Sequence, residues 1–144
     1  MGADSRENVR ETGILERACH DIRQAGSVTP RTTSQLEETF EKRFSEAMRL
    51  VDQGKIRQVS FRPSGRTVWV VTGRKAEYQV VPKSMFCTCD DFYFRVMGHK
   101  KQLCYHLIAQ NLAVALGKQA KTDMADSNYA RFAAKWRLSA DVGT

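Results

Sequence analysis

Long apolar runs are missing from these 144 residues. No stretch approaches the roughly 20 apolar residues needed to cross a bilayer, which argues against a membrane-spanning helix. The opening Met1-Gly2-Ala3-Asp4-Ser5-Arg6 lacks the apolar core of a signal peptide, and position 6 lacks the serine or threonine that myristoylation wants. Signatures of nucleotide and protease chemistry are also missing: there is no Walker loop, no dinucleotide-binding glycine pattern and no His-Glu-x-x-His helix. The carboxylates fall at spacings that suit solvated helix faces and ion pairs, not an acid/base pair in a pocket. Internal repeats and low-complexity tracts are absent. This pattern reads as a binding module and not as an enzyme. A length of 144 residues suits one domain, or a small domain with a helical appendage, and a mean hydropathy of −0.48 suits a soluble fold.

Cysteine and histidine are scarce, at four and three residues, and four of those seven converge on one pattern. Cys87 and Cys89 form Cys-x-Cys, and Cys104 and His106 form Cys-x-His. Three thiolates and one imidazole are the closed tetrahedral ligand set of structural zinc, with no position left open for a catalytic water. The spacing agrees with that chemistry. An extended segment through Met85, Phe86, Cys87, Thr88 and Cys89 puts both sulfurs on one side, because strand side chains alternate. Cys104 and His106 open an apolar helical stretch over 103–116. Between the pairs, residues 90–97 read as a short helix begun by Asp90 and Asp91 and ended by Gly98. The competing explanation, buried free thiols beside an incidental histidine, makes the shared spacing a coincidence. With thiols committed to metal and no export signal, a reducing intracellular compartment is expected: cytoplasm or nucleoid in a prokaryote, nucleus in a eukaryote. Cys19 is then a free thiol on a helix. His20 beside it points about 100° away and shares no ion with it. His99, in the context Gly98-His99-Lys100-Lys101, reads as an exposed loop residue.

At these positions the chain resembles the SWIM zinc fingers, whose signature is Cys-x-Cys, a variable spacer, then Cys-x-His. Phe92 and Phe94 follow Cys89 at the third and fifth positions, as in many SWIM fingers, and Cys104-Tyr105-His106-Leu107-Ile108-Ala109 resembles the family's Cys-x-His-Leu-Leu-Ala. The upstream segment 64–71, Ser-Gly-Arg-Thr-Val-Trp-Val-Val, resembles the hairpin preceding the finger in small stand-alone members. Those members include the SWIM subunit of the Shu recombination complex and its archaeal relatives. The similarity covers roughly residues 55–117. Tyr105 is a departure, because that branch often carries lysine there. The resemblance implies an accessory protein that supports homologous recombination and DNA repair by binding a RecA-fold recombinase paralogue, and DNA jointly with it. Alternatives are a free-standing SWIM-type DNA-binding or regulatory finger, or a protein-interaction adaptor without nucleic acid.

Charge is divided unevenly along the chain. Residues 1–54 hold 8 basic and 10 acidic side chains and residues 55–144 hold 15 and 6, balances of −2 and +9 that give the overall +7. A cationic finger half suits phosphate or an acidic protein partner, unless its lysines and arginines are merely solvated. The cations placed for nucleic acid by the hairpin and loops are Arg62, Arg66, Arg74, Lys75, Lys100 and Lys101, with Tyr93 available for base stacking. Phe92 and Phe94 belong more naturally to the small core beside the metal.

The expected fold class is α+β. N-terminal helices precede a three- to four-stranded antiparallel sheet and a zinc-stapled ββα-like finger, and a C-terminal helix follows. Three regions are expected: helical 1–54, hairpin plus finger 55–117, and linker plus helix 118–144. One helix spans about 6–25, with Val9, Leu15, Ala18, Cys19 and Ile22 on one face and Gly13 weakening it. A second begins at a Ser34-x-x-Glu37 capping box, carries Leu36, Phe40, Phe44, Met48 and Val51, and stops at Gly54. Strands are predicted over 56–61, 67–71 and 76–81, with a type I turn and glycine bulge at Arg62-Pro63-Ser64-Gly65. Residues 117–126 read as a polar linker. A last helix over 127–138 carries Tyr129, Phe132, Ala133 and Trp136 on one side, most simply for docking on the same core. Arg131, Lys135 and Arg137 flank that stripe, and a partner-binding helix is the sharper alternative.

Overall fold

The computed structural model describes residues 2–89 and 103–134. The expected short helix over 90–97, the aromatic run 92–94, His99, Lys100, Lys101 and Trp136 lie outside the described residues. Helix α1 (Gly2–Ala25) buries Leu15, Ala18, Cys19 and Ile22, the three- and four-residue spacing that makes one apolar stripe. Gly13 does not interrupt it, being exposed on the helix.

The long second helix of the sequence reading is two helices. Helix α2 (Pro30–Phe40) begins four residues ahead of Ser34, because Thr29 is the true cap: its Oγ1 accepts the Thr32 N–H at 3.3 Å, and Pro30 supplies a preset φ where no N–H is needed. Ser34 therefore lies inside α2 and forms no capping box. Glu41, at φ 56°, then breaks the helix. Its N–H donates to the Glu37 carbonyl at 2.9 Å, closing α2, and its carbonyl accepts from Phe44 N–H at 3.0 Å, opening α3 (Lys42–Asp52). The kink re-aims the stripe, so Phe44, Ala47, Leu50 and Val51 are buried together with Arg43.

Five strands follow: β1 (Ile56–Arg62), β2 (Thr67–Thr72), β3 (Glu77–Val81), β4 (Phe86–Cys87) and β5 (Ala120–Ala125), in the order β4-β3-β2-β1-β5. The first four pair antiparallel, as expected. The sheet is nevertheless mixed, because β5 runs parallel to β1, with Val59 opposite Thr122 and Phe61 opposite Met124. Residues 120–125, read as linker from their polarity, are thus an edge strand that only one neighbour covers among the described elements. Between β4 and β5 comes helix α4 (Tyr105–Leu116), with seven buried residues on nearly every side, as befits a central helix. It ends at Gly117, whose φ of 69° favours glycine, and the Lys118 N–H caps the Ala113 carbonyl at 2.8 Å.

Strand alternation divides the sheet into two faces. Ile56, Val71, Val80 and Cys87 face the helices, and α1 and α3 both pack on α4 in one core. Val59, Phe61, Val68 and Val70 form a separate cluster with Phe132 on the opposite face. After a 3₁₀ turn (Asp126–Asn128), residues 129–134 are helical, and Phe61 meets Tyr129 and Phe132 edge to face at ring centroid distances of 5.1 and 5.5 Å. The described aromatics of that stripe, Tyr129 and Phe132, thus dock on the sheet, but not on the core shared by the helices. Asp126 fastens the hairpin to this layer, its carboxylate accepting from Ser64 N–H at 2.9 Å and Ser64 Oγ at 2.7 Å.

This second cluster predicts that Phe132→Ala destabilises the protein by about 3 kcal/mol, the usual cost of truncating a buried aromatic. Urea unfolding checks it; a loss below about 1 kcal/mol would mean that the segment is not part of the fold.

Candidate metal centre

Cys87 hangs at the end of β4, a two-residue strand opposite Val80. Beyond it, Thr88 completes the pairing by other means: its N–H donates to the Gln79 carbonyl at 3.1 Å, and its Oγ1 accepts the Gln79 N–H at 3.0 Å. That side-chain substitute for a ladder bond holds the chain extended through Cys-x-Cys, so Cys87 and Cys89 are both buried. The other pair comes from the start of α4. Cys104 is its N-cap, with φ −81° and ψ 164°, and His106 is its second residue.

The ligand atoms of Cys87, Cys89, Cys104 and His106 all lie within 4.8 Å of one another, and all four residues are buried. Tetrahedral zinc, with bonds of about 2.3 Å to sulfur and 2.0 Å to nitrogen, asks for ligands roughly 3.8 Å apart. The electrostatics ask for a cation as well. Hydrogen bonds shared with Cys104 and Cys89 push the Cys87 thiol far up, and those from Cys104 and Cys87 push Cys89 far down. Burial pushes Cys104 up, against the hydrogen bond from the Leu107 backbone in the first helical turn. Three sulfurs this close cannot all ionise without a positive ion between them. Among the described residues neither ring nitrogen of the buried His106 has a hydrogen-bond partner, an expensive arrangement that coordination relieves at one of the two. The residues fit one structural zinc ion, whose role is to tie β4 to α4.

Two tyrosine rings pack against the imidazole, a role the sequence did not assign to either. Tyr78 of β3 lies 4.7 Å from it and Tyr105 4.1 Å, centroid to centroid. Tyr105, the departure from the lysine of related fingers, is half-buried against the ligand it precedes, and burial raises its phenol pKa. The β2–β3 turn leaves room only for glycine: a Cβ on Gly73 would stand 2.6 Å from Tyr78 Cε2 and 3.3 Å from His106 Nε2.

A second feature missed from sequence lies behind Cys104. Arg43 of α3 donates from Nη2 to Glu11 Oε2 of α1 at 2.8 Å and from Nη1 to Oε1 at 3.1 Å, and Nη1 also reaches the Leu103 carbonyl at 2.6 Å. Glu11 and Arg43 are 32 positions apart, and each looks like a solvated helix charge until the helices are packed.

The described candidates for nucleic-acid contact fall into two groups. Arg62 and Arg66 sit at the β1–β2 turn, where Arg62 lies 3.6 Å from Asp123 and the Arg66 guanidinium stands 4.2 Å over the Tyr129 ring. Arg74 and Lys75 sit at the β2–β3 turn beside the metal centre, and Arg74 is 3.3 Å from Glu46. The length of β2, roughly 20 Å at about 3.3 Å per residue, separates the groups. Cys19 is a free, buried thiol that donates to the Asn111 carbonyl at 3.6 Å, with burial raising its pKa to about 11, and His20 is exposed. No described helix is long and apolar enough to cross a membrane.

Replacing Cys104 by serine is expected to abolish retention of one zinc equivalent and to unfold at least residues 85–117, because structural zinc contributes roughly 10 kcal/mol of folding free energy in small domains. Metal analysis and thermal melting test this; full retention with an unchanged melt would refute it. Gly73→Ala is expected to keep the four ligands but weaken zinc retention against a chelator, because the added methyl displaces Tyr78 from the imidazole. Retention equal to the unmodified chain would show that the ring needs no such support.

No family profile and no solved structure matches the chain. Two curated proteins do. Zinc finger SWIM domain-containing protein 7 homolog of Dictyostelium discoideum is 28% identical over 108 residues, 74% of this chain and 69% of that protein. Zinc finger SWIM domain-containing protein 7 of Mus musculus is 29% identical over 105 residues, 72% and 68% respectively. These similarities support a SWIM-type zinc finger, and the four converging ligands support its single zinc ion.

Proposed function

We propose that this SWIM protein is a non-enzymatic accessory factor in homologous recombination and DNA repair. It binds a RecA-fold recombinase paralogue and meets DNA jointly with that partner, inside the cell. The observation that carries this reading is the similarity over nearly three quarters of the chain to small SWIM proteins, extending well beyond the finger into the flanking helices and strands. A finger appended to an unrelated host would share little outside its ligands. The buried, closed metal centre supports a zinc ion that maintains a surface and performs no reaction. The described cations favour shared rather than solitary DNA contact: Arg62, Arg66 and Arg74 each face an internal partner, and they form no continuous track.

The test is a tagged pull-down at native expression with mass spectrometry, followed by DNA binding of the isolated chain and of the complex. Stable co-purification with an ATP-binding recombinase paralogue and weak DNA affinity alone are expected. Tight binding by the isolated chain, falling steeply between about 50 and 200 mM salt, would instead establish a free-standing DNA-binding finger. Absence of DNA binding even with the partner present would leave a protein-interaction adaptor.

A further inference from the structure

We propose that Glu11 and Arg43 are a positioning pair for the metal centre, through which the docking of α1 sets zinc affinity. Leu103 immediately precedes the ligand Cys104, is fully buried, and lies outside any helix or strand. Its backbone groups therefore need partners that secondary structure does not supply. The pair provides both. Arg43 Nη1 donates to the Leu103 carbonyl at 2.6 Å, and Glu11 Oε1 faces the Leu103 N–H at 3.5 Å. The backbone of a single residue is thus gripped on both sides by two helices from the N-terminal half.

The rest of the local structure serves this grip. The break at Glu41 turns α3 so that Arg43 points inward, and the guanidinium lies 5.1 Å from the Phe40 ring centroid. Glu11 and Arg43 are nearly inaccessible, with side-chain exposures of 1 and 5%. A buried ion pair is poor at adding stability, since well-packed apolar residues often do as well. What apolar residues cannot do is donate to one backbone carbonyl while accepting from the same residue's amide. Cys104 is the N-cap of α4, the residue between Leu103 and the first helical turn, so the orientation of its sulfur depends on how Leu103 enters the helix. Groups just outside the ligands commonly govern metal affinity in this way. A partner that displaced α1 from α4 would loosen the zinc site, although α1 supplies no ligand.

The test uses the full chain, with zinc affinity measured by chelator competition and ligand geometry by the Co²⁺ d–d spectrum. Arg43→Lys keeps the charge but cannot span two carboxylate oxygens and a carbonyl. It is expected to weaken zinc binding about tenfold or more and to alter the cobalt spectrum. Glu11→Gln should do likewise. The double variant E11L/R43M removes the pair without leaving a buried charge, so it remains informative if either single variant fails to fold. It too should lose about tenfold in zinc affinity. Phe132→Ala, on the far face of the sheet, is the control for a general loss of stability and is expected to leave zinc affinity and cobalt spectrum unchanged. Zinc affinities of R43K and E11L/R43M equal to the unmodified chain would overturn the proposal. So would an equal loss in F132A, which would make the effect one of global stability.

Discussion

Three sulfurs and an imidazole buried within 4.8 Å of one another form a set whose thiols cannot all ionise without a cation between them. Cys87 ends an edge strand of two residues, too short to hold itself, with Cys89 just beyond it, while Cys104 and His106 are the N-cap and second residue of the central helix α4. A zinc ion joins these unequal partners. The strand gains an anchor in the core, and the helix gains a fixed start, where its positive dipole end also favours the Cys104 thiolate. The remaining architecture surrounds that junction. Helices α1 and α3 pack on α4, and the Glu11–Arg43 pair grips the residue from which α4 departs.

The sheet separates this metal-dependent half from a metal-free one. On its far face Phe61, Tyr129 and Phe132 pack without reference to the ligands, and β5 joins that layer to β1. The exposed cations follow the same division: Arg62 and Arg66 belong to the aromatic end, and Arg74 and Lys75 to the zinc end. A partner gripping the zinc end would sense the metal directly. One gripping the aromatic end would depend on it only through the sheet.

The ligand set was legible because its information is local: alternation along Cys-x-Cys and the start of an apolar helix are written in adjacent residues. The first three strands were legible for the same reason, with β-branched and aromatic runs bounded by turn residues. Strand β5 was not, because Ala120, Lys121, Thr122, Asp123, Met124 and Ala125 carry no strand signature; pairing with β1 makes them a strand, and that pairing is a tertiary fact. The break at Glu41 was hidden because the apolar spacing from Leu36 to Val51 continues across it, and Ser34 mimicked a cap that Thr29 and Pro30 provide earlier. Glu11 and Arg43 were invisible for the opposite reason: each belongs to a residue type expected on a solvated face, and only the packing of three helices makes them partners. Long-range polar contacts of this kind leave no periodic trace.

Amide hydrogen exchange on the native chain, before and after a chelator removes its metal, reaches the central claim most directly. Zinc as the junction between β4 and α4 predicts that protection collapses at residues 87–89 and along 103–116, persists longer around the Phe61–Phe132 cluster, and returns with one equivalent of zinc. Unchanged protection at residues 103–116 in the metal-free protein would contradict it.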